Sequence, residues 1–163
     1  MKFNLIIKEP LNILNDFKYK IYEPDSMIEI FSIIEDTIDQ SGKVSFYFEC
    51  FSLPLNLTLF GDLSVFLEQL SSFYKFAQNE YSEYILDFYE VGTNRKFIFK
   101  RIDNEYASII DFDDHNIHEL IQIKLLKKDI IEFINKMEFI INRIAPSINE
   151  IDKVREWYSI FII

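Results

Sequence analysis

The sequence predicts an α+β fold, an antiparallel β-meander packed with about three α-helices, in one domain spanning residues 1–163. Three observations carry this expectation. The segment Lys43–Phe51 alternates, with Val44, Phe46 and Phe48 on one side and Ser45, Tyr47 and Glu49 on the other, as a half-buried strand does. Between Tyr81 and Leu126, four short strand-like runs are separated by turn residues. Leu63, Phe66, Leu67, Leu70, Phe73, Tyr74 and Ala77 recur at helical spacing. A chain of 163 residues suits one domain and buries about two-thirds of its unfolded surface.

In chain order, Lys2–Lys8 reads as a strand and Lys18–Glu23 as another, before Pro24 breaks the chain. Met27–Gln40 admits two readings. Ser26 and Glu29 have the spacing of a capping box and Gly42 is a stop signal, which favours a helix. Ile28, Ile30, Ile33 and Ile34 suit a strand as well, and a strand turning through Asp39–Gly42 is slightly preferred. Pro54 interrupts the next strand, and Leu55–Phe60 resumes its period of two. Asp62 is placed to cap the helix Leu63–Gln78. The runs Tyr81–Tyr89, Arg95–Ile102, Tyr106–Phe112 and Ile117–Leu126 form the meander. Asp129 and Glu132 are read as capping a helix Ile130–Ile144, which Pro146 stops. Lys124, Lys127 and Lys128 just before it sit where the helix dipole disfavours them. Ser147 and Glu150 form a second possible box, opening a last helix with Ile148, Ile151, Val154, Tyr158 and Phe161. The apolar end Ile160–Ile163 is expected to pack on the body, with an interface as the alternative.

Composition excludes several classes. Hydrophobic residues make up 49% of the chain and aromatics 17%, and a disordered segment lacks such large apolar groups to bury. Lys and Arg number 17 against 27 Asp and Glu, a net charge of −10. That balance argues against nucleic acid and anionic membranes, which need clustered cations; it suits a basic partner, and aiding solubility alone is the plainer reading. Cys50 is the single cysteine, so neither an intramolecular disulfide nor a four-cysteine zinc site can form. The apolar run Phe3–Ile7 is too short for a signal peptide, and the longest uncharged stretch, Cys50–Gly61, is too short for a membrane span. A cytoplasmic protein is expected.

Catalytic signatures are sparse. Gly42, Gly61 and Gly92 stand too far apart for a phosphate-binding loop, and no G-x-S-x-G elbow occurs. A histidine-dependent triad has only His115 and His118 to draw on. Cys50, between Glu49 and Phe51 with no nearby base, reads as a small core residue. The pair Glu35-Asp36 is what chance yields among 27 acids. Arg95-Lys96 and Lys100-Arg101 interleave with Phe97 and Phe99, as in single-strand binders, yet the alternation is that of an ordinary strand. The segment Asp111–Glu119 gathers carboxylates with His115 and His118. It lacks the glycine and ligand ladder of an EF-hand and reads first as a charged hairpin loop. No catalytic residue, cofactor or metal ligand is expected.

One resemblance adds to this. The strand Val44–Phe51 is followed by Leu57-Thr-Leu-Phe-Gly-Asp-Leu-Ser-Val-Phe-Leu-Glu-Gln-Leu70, in which Asp-Leu-x-x-Phe-x-x-x-Leu opens a helix. A meander and a helix follow. Over about Val44–Ile144 this order resembles small immunity proteins of bacterial polymorphic toxin systems, of the wall-associated type. The chain differs in its extra C-terminal helix and in having its one tryptophan at Trp157. The resemblance implies a cytoplasmic, non-enzymatic protein that neutralises one cognate toxin domain, a basic nuclease being one case. An acidic surface then steers association. Asp111, Asp113, Asp114 and Glu119 are the residues expected to contribute that surface. The alternatives are an acidic structural or regulatory module acting as a homo-oligomer, a homodimer for example, through Ile160–Ile163, and a metal-dependent enzyme using the Asp111–Glu119 segment.

Overall fold

A computed structural model describes residues 1–14, 24, 26–55, 57–89 and 95–161. The expected strand Lys18–Glu23 lies outside the described residues. The chain is an α+β protein with two antiparallel sheets and four α-helices among the described residues. Strands β1 (Lys2–Ile7), β2 (Val44–Cys50) and β3 (Leu53–Pro54) form the first sheet, in that order. Strands β4 (Glu83–Phe88), β5 (Arg95–Arg101), β6 (Tyr106–Asp111) and β7 (His118–Gln122) form the second, the expected meander. The helices are α1 (Met27–Ser41), α2 (Asp62–Ala77), α3 (Ile123–Ile144) and α4 (Asp152–Ser159), with a 3-10 turn over Pro146–Glu150.

The segment after Pro24 is a helix, against the preference for a strand. Ile30, Phe31, Ile34 and Ile38 are buried at helical spacing, while Ile28 is left exposed. Ser26 Oγ accepts from the Glu29 N–H, and Gly42 ends the helix at φ 61° with its N–H on the Asp39 carbonyl. One buried stripe therefore outweighs the strand preference of the isoleucines, because propensity is a weak prior beside packing.

Two further expectations are corrected. The described residues of Leu55–Phe60 do not resume a strand: β3 is two residues long, and Phe51 and Ser52, both at positive φ, turn the chain sharply before it. The helix expected at Ile130 begins seven residues earlier, at Ile123, directly from β7, so Asp129 and Glu132 do not cap it. Ile123, Leu126, Ile130, Phe133, Ile134 and Met137 make one continuous buried stripe, which carries the helix back through the lysines. Lys127 lies over the Tyr74 ring at 5.6 Å, and Lys128 pairs with Glu132 at 3.4 Å. The Ser147–Glu150 box does not form either; α4 starts after Ile151 without a side-chain cap.

The inner faces of both sheets close on one aromatic core. Phe66 of α2 is its hub, within 5.2–6.1 Å, ring centre to ring centre, of Phe3, Phe46, Phe48, Phe88 and Phe133. Those five rings come from both sheets and from α3, so this residue ties the layers together. At the C-terminal end, Phe161 is buried against Tyr74 and Trp157, and Ile160 is half exposed.

Cys50 is buried at the end of β2, as a core residue. Burial, and then the charge of Glu119, push its thiol up to about 12. A thiol in the unfolded chain ionises near about 8.5. The folded value is the higher one, so the stabilisation is complete below about 8.5 and is lost as pH rises towards 12. At about 1.4 kcal/mol per pH unit, the Cys50 share of the stability to urea should be about 2 kcal/mol lower at pH 10 than at pH 8, with buried Tyr84 and Tyr158, whose hydroxyls are also pushed up, adding to the fall near pH 10. In Cys50→Ala that slope should flatten; an unchanged slope would show that another group titrates.

Candidate functional site

The helix α2 needs acceptors for its first N–H groups, since its N-cap position is Gly61, at φ 90°. Asp62, expected as the cap, is instead the first helical residue and accepts from the Thr58 N–H at 2.7 Å. Glu35 of α1 supplies the cap from a distance. Its Oε1 accepts from the Gly61 N–H and its Oε2 from the Ser64 N–H, each at 2.7 Å, and the side chain is buried. One member of the Glu35-Asp36 pair thus has a structural task that no local spacing reveals.

The four expected surface residues fall into two kinds. Asp111, the last residue of β6, is buried on the inner face. Its Oδ2 pairs with Arg95 at 2.6 Å, and its Oδ1 accepts the N–H groups of Asp113 at 2.9 Å and Asp114 at 3.3 Å. Glu119 of β7 is half-buried between the sheets. It accepts from the Met1 ammonium and, at 2.7 Å, from the N–H of Phe51 in the positive-φ turn. Both carboxylates hold the fold.

Asp113 and Asp114 are exposed in the loop between β6 and β7. Asp114 Oδ1 accepts from the backbone and side-chain amides of Asn116 at 3.0 Å, so the loop is braced from within. Phe112 and Ile117 stand exposed in the same loop, and the Phe112 ring lies 6.3 Å from that of His115. The loop presents two carboxylates beside two large apolar groups on a preorganised backbone.

The basic run on β5 is paired within the protein. Arg95 meets Asp111, Lys96 meets Asp87 at 2.7 Å, Lys100 meets Glu83 at 3.3 Å, and Arg101 donates to the Phe76 carbonyl. Phe97 and Phe99 face the core. Among the described residues, no three His, Cys, Asp or Glu side chains converge closely enough to hold a metal ion. No helix among them is long and apolar enough to cross a membrane.

A groove of about 490 Å³ runs beside β7, lined by Glu119, Leu120, Ile121 and Gln122, by Met1 and Lys2, and by Leu125, Leu126 and Asp129 of α3. Nothing in the sequence pattern marks it, because it arises where β7, β1 and α3 meet. Burial, and then the neighbouring charge of Glu132, push the Asp129 carboxyl up from its ordinary value. Compared with family models, curated proteins and solved structures, the chain matches none.

Proposed function

We propose that this protein is a non-catalytic, immunity-like inhibitor that binds a cognate toxin domain, such as a basic nuclease, and blocks it through an acidic surface. The observation that supports this most is the β6–β7 loop. Asp113 and Asp114 stand in solvent beside Phe112 and Ile117, on a backbone already fixed by buried Asp111. Apolar groups ringed by charge are the usual anchors of a protein interface, and a prefixed loop spends little entropy on binding. The net charge of −10 adds long-range attraction for a basic partner.

The test is affinity capture of the tagged protein from its native host at moderate salt. One stoichiometric basic partner from a larger secreted protein supports the reading; recovery of the bait alone speaks against it. With a partner in hand, Asp113→Asn combined with Asp114→Asn should slow association several-fold at low salt and flatten its salt dependence, with stability unchanged. Unaltered association kinetics would remove the loop from the interface.

A further inference from the structure

The two edges of the four-stranded sheet are treated differently. In β4, pairing with β5 turns the backbone groups of Tyr84, Leu86 and Phe88 inward to the ladder and those of Glu83, Ile85 and Asp87 outward, as the bond from Arg101 N–H to the Ser82 carbonyl fixes. That edge is plugged by α2. The Gln69 side chain accepts from the Asp87 N–H at 2.9 Å and donates to its carbonyl at 2.8 Å, as a neighbouring strand would.

At the opposite edge, no described residue plugs β7 in this way. The bonds from Asp111 N–H to the Ile117 carbonyl and from Ile123 N–H to the Glu105 carbonyl fix the alternation. His118, Leu120 and Gln122 therefore turn their N–H and carbonyl groups away from β6. Along that edge lies the groove, with Leu120 and Leu125 as its exposed apolar surface and half-buried Ile121 and buried Leu126 beneath them. Leu120 is 59% exposed and Leu125 51%, a large apolar exposure beside an open edge. Of the cations of the groove wall, the Met1 ammonium is held by Glu119, and Lys2, largely exposed, lies 3.8 Å from Glu49. Asp129 makes neither a hydrogen bond nor a direct ion pair among the described residues; the charges of Lys128 and the N-terminus reach it only from a distance, and it is only partly exposed.

We infer that β7 is a docking edge that takes an extended, alternating apolar and basic segment of a partner protein as an added strand, with a basic side chain of that segment on Asp129. An added strand satisfies the outward groups of His118, Leu120 and Gln122, its apolar side chains cover Leu120 and Leu125, and its cation meets Asp129, which makes no direct ion pair among the described residues. The raised ionisation of Asp129 fits this, since a cation placed there relieves a charge the free protein holds at a cost. A second copy of this chain is the poorer occupant: it brings a net charge of −10 towards another −10. The inference rests on the partner-binding reading for whose segment docks, and on the fold alone for what kind of segment fits.

The test needs no toxin. A short peptide alternating valine and lysine is titrated into the full chain, and backbone amide resonances are followed by NMR. Shifts should centre on His118, Leu120 and Gln122 and extend to Lys2 and Asp129. A valine–glutamate peptide should bind about tenfold more weakly or less, a peptide N-methylated at alternate residues should not bind, and Asp129→Asn should weaken the lysine peptide several-fold. Asp129 is half-exposed and makes no hydrogen bond among the described residues, so this variant should remain folded, which its unchanged amide spectrum away from the groove checks. Absence of shifts at those three amides with millimolar peptide overturns the docking edge, as do equal affinities for the two charge types. Shifts that follow protein concentration without peptide overturn it in favour of a second copy. Peptide binding together with failure to capture any toxin leaves this edge standing and removes the toxin reading alone.

Discussion

Glu35→Ala should lower the unfolding free energy by about 2–3 kcal/mol, because it leaves two part-buried N–H groups at the start of α2 without their carboxylate acceptor. The carboxylate also lies against the positive end of the helix dipole, so its charge adds to the bonds it accepts. Glu35→Gln tests the division between charge and shape. It keeps the volume and one acceptor oxygen but turns an amide N–H₂ towards a backbone N–H, so an intermediate loss is expected. Urea unfolding of the three proteins measures this. If Glu35→Ala costs under about 1 kcal/mol, α2 is capped by something other than Glu35. Domains of this size have only about 5–15 kcal/mol to lose, so the predicted change is a large share.

Phe66→Ala should cost about 3–5 kcal/mol, the range for removing a fully buried aromatic ring. The reason is position as much as size. Phe66 is fully buried and its ring meets rings from β1, β2, β4 and α3, so its loss opens a cavity where both sheets and two helices converge. Phe60→Ala, just before α2 and 69% exposed, should change stability by less than about 0.5 kcal/mol. Equal losses for the two would contradict the core as described.

These two residues show what the sequence makes legible. Phe66 stands out from helical spacing alone, and so do the α2 stripe, the alternation of β2 and the four-strand meander, because one apolar face repeats at a fixed period. Glu35 does not stand out, since its partners are 26 and 29 residues away. The same holds for α1, where the isoleucines satisfy two periods and only the buried face against α2 and α3 decides between them. Asp111 and Glu119 were legible as charges but not as anchors, because their partners, Arg95, Met1 and Phe51, come from other strands and a distant turn. The groove beside β7 has no signature at all; it is a property of which edge the fold leaves open.

The central reading is inhibition of a partner, and its most direct measurement is a titration. The protein captured with its partner is analysed by native mass spectrometry, and the partner's toxic activity is then assayed against increasing amounts of this protein. The account predicts a one-to-one complex and activity that falls to the background at equivalence. A partner that stays fully active in the presence of excess protein, or a chain that only ever associates with itself, would contradict it.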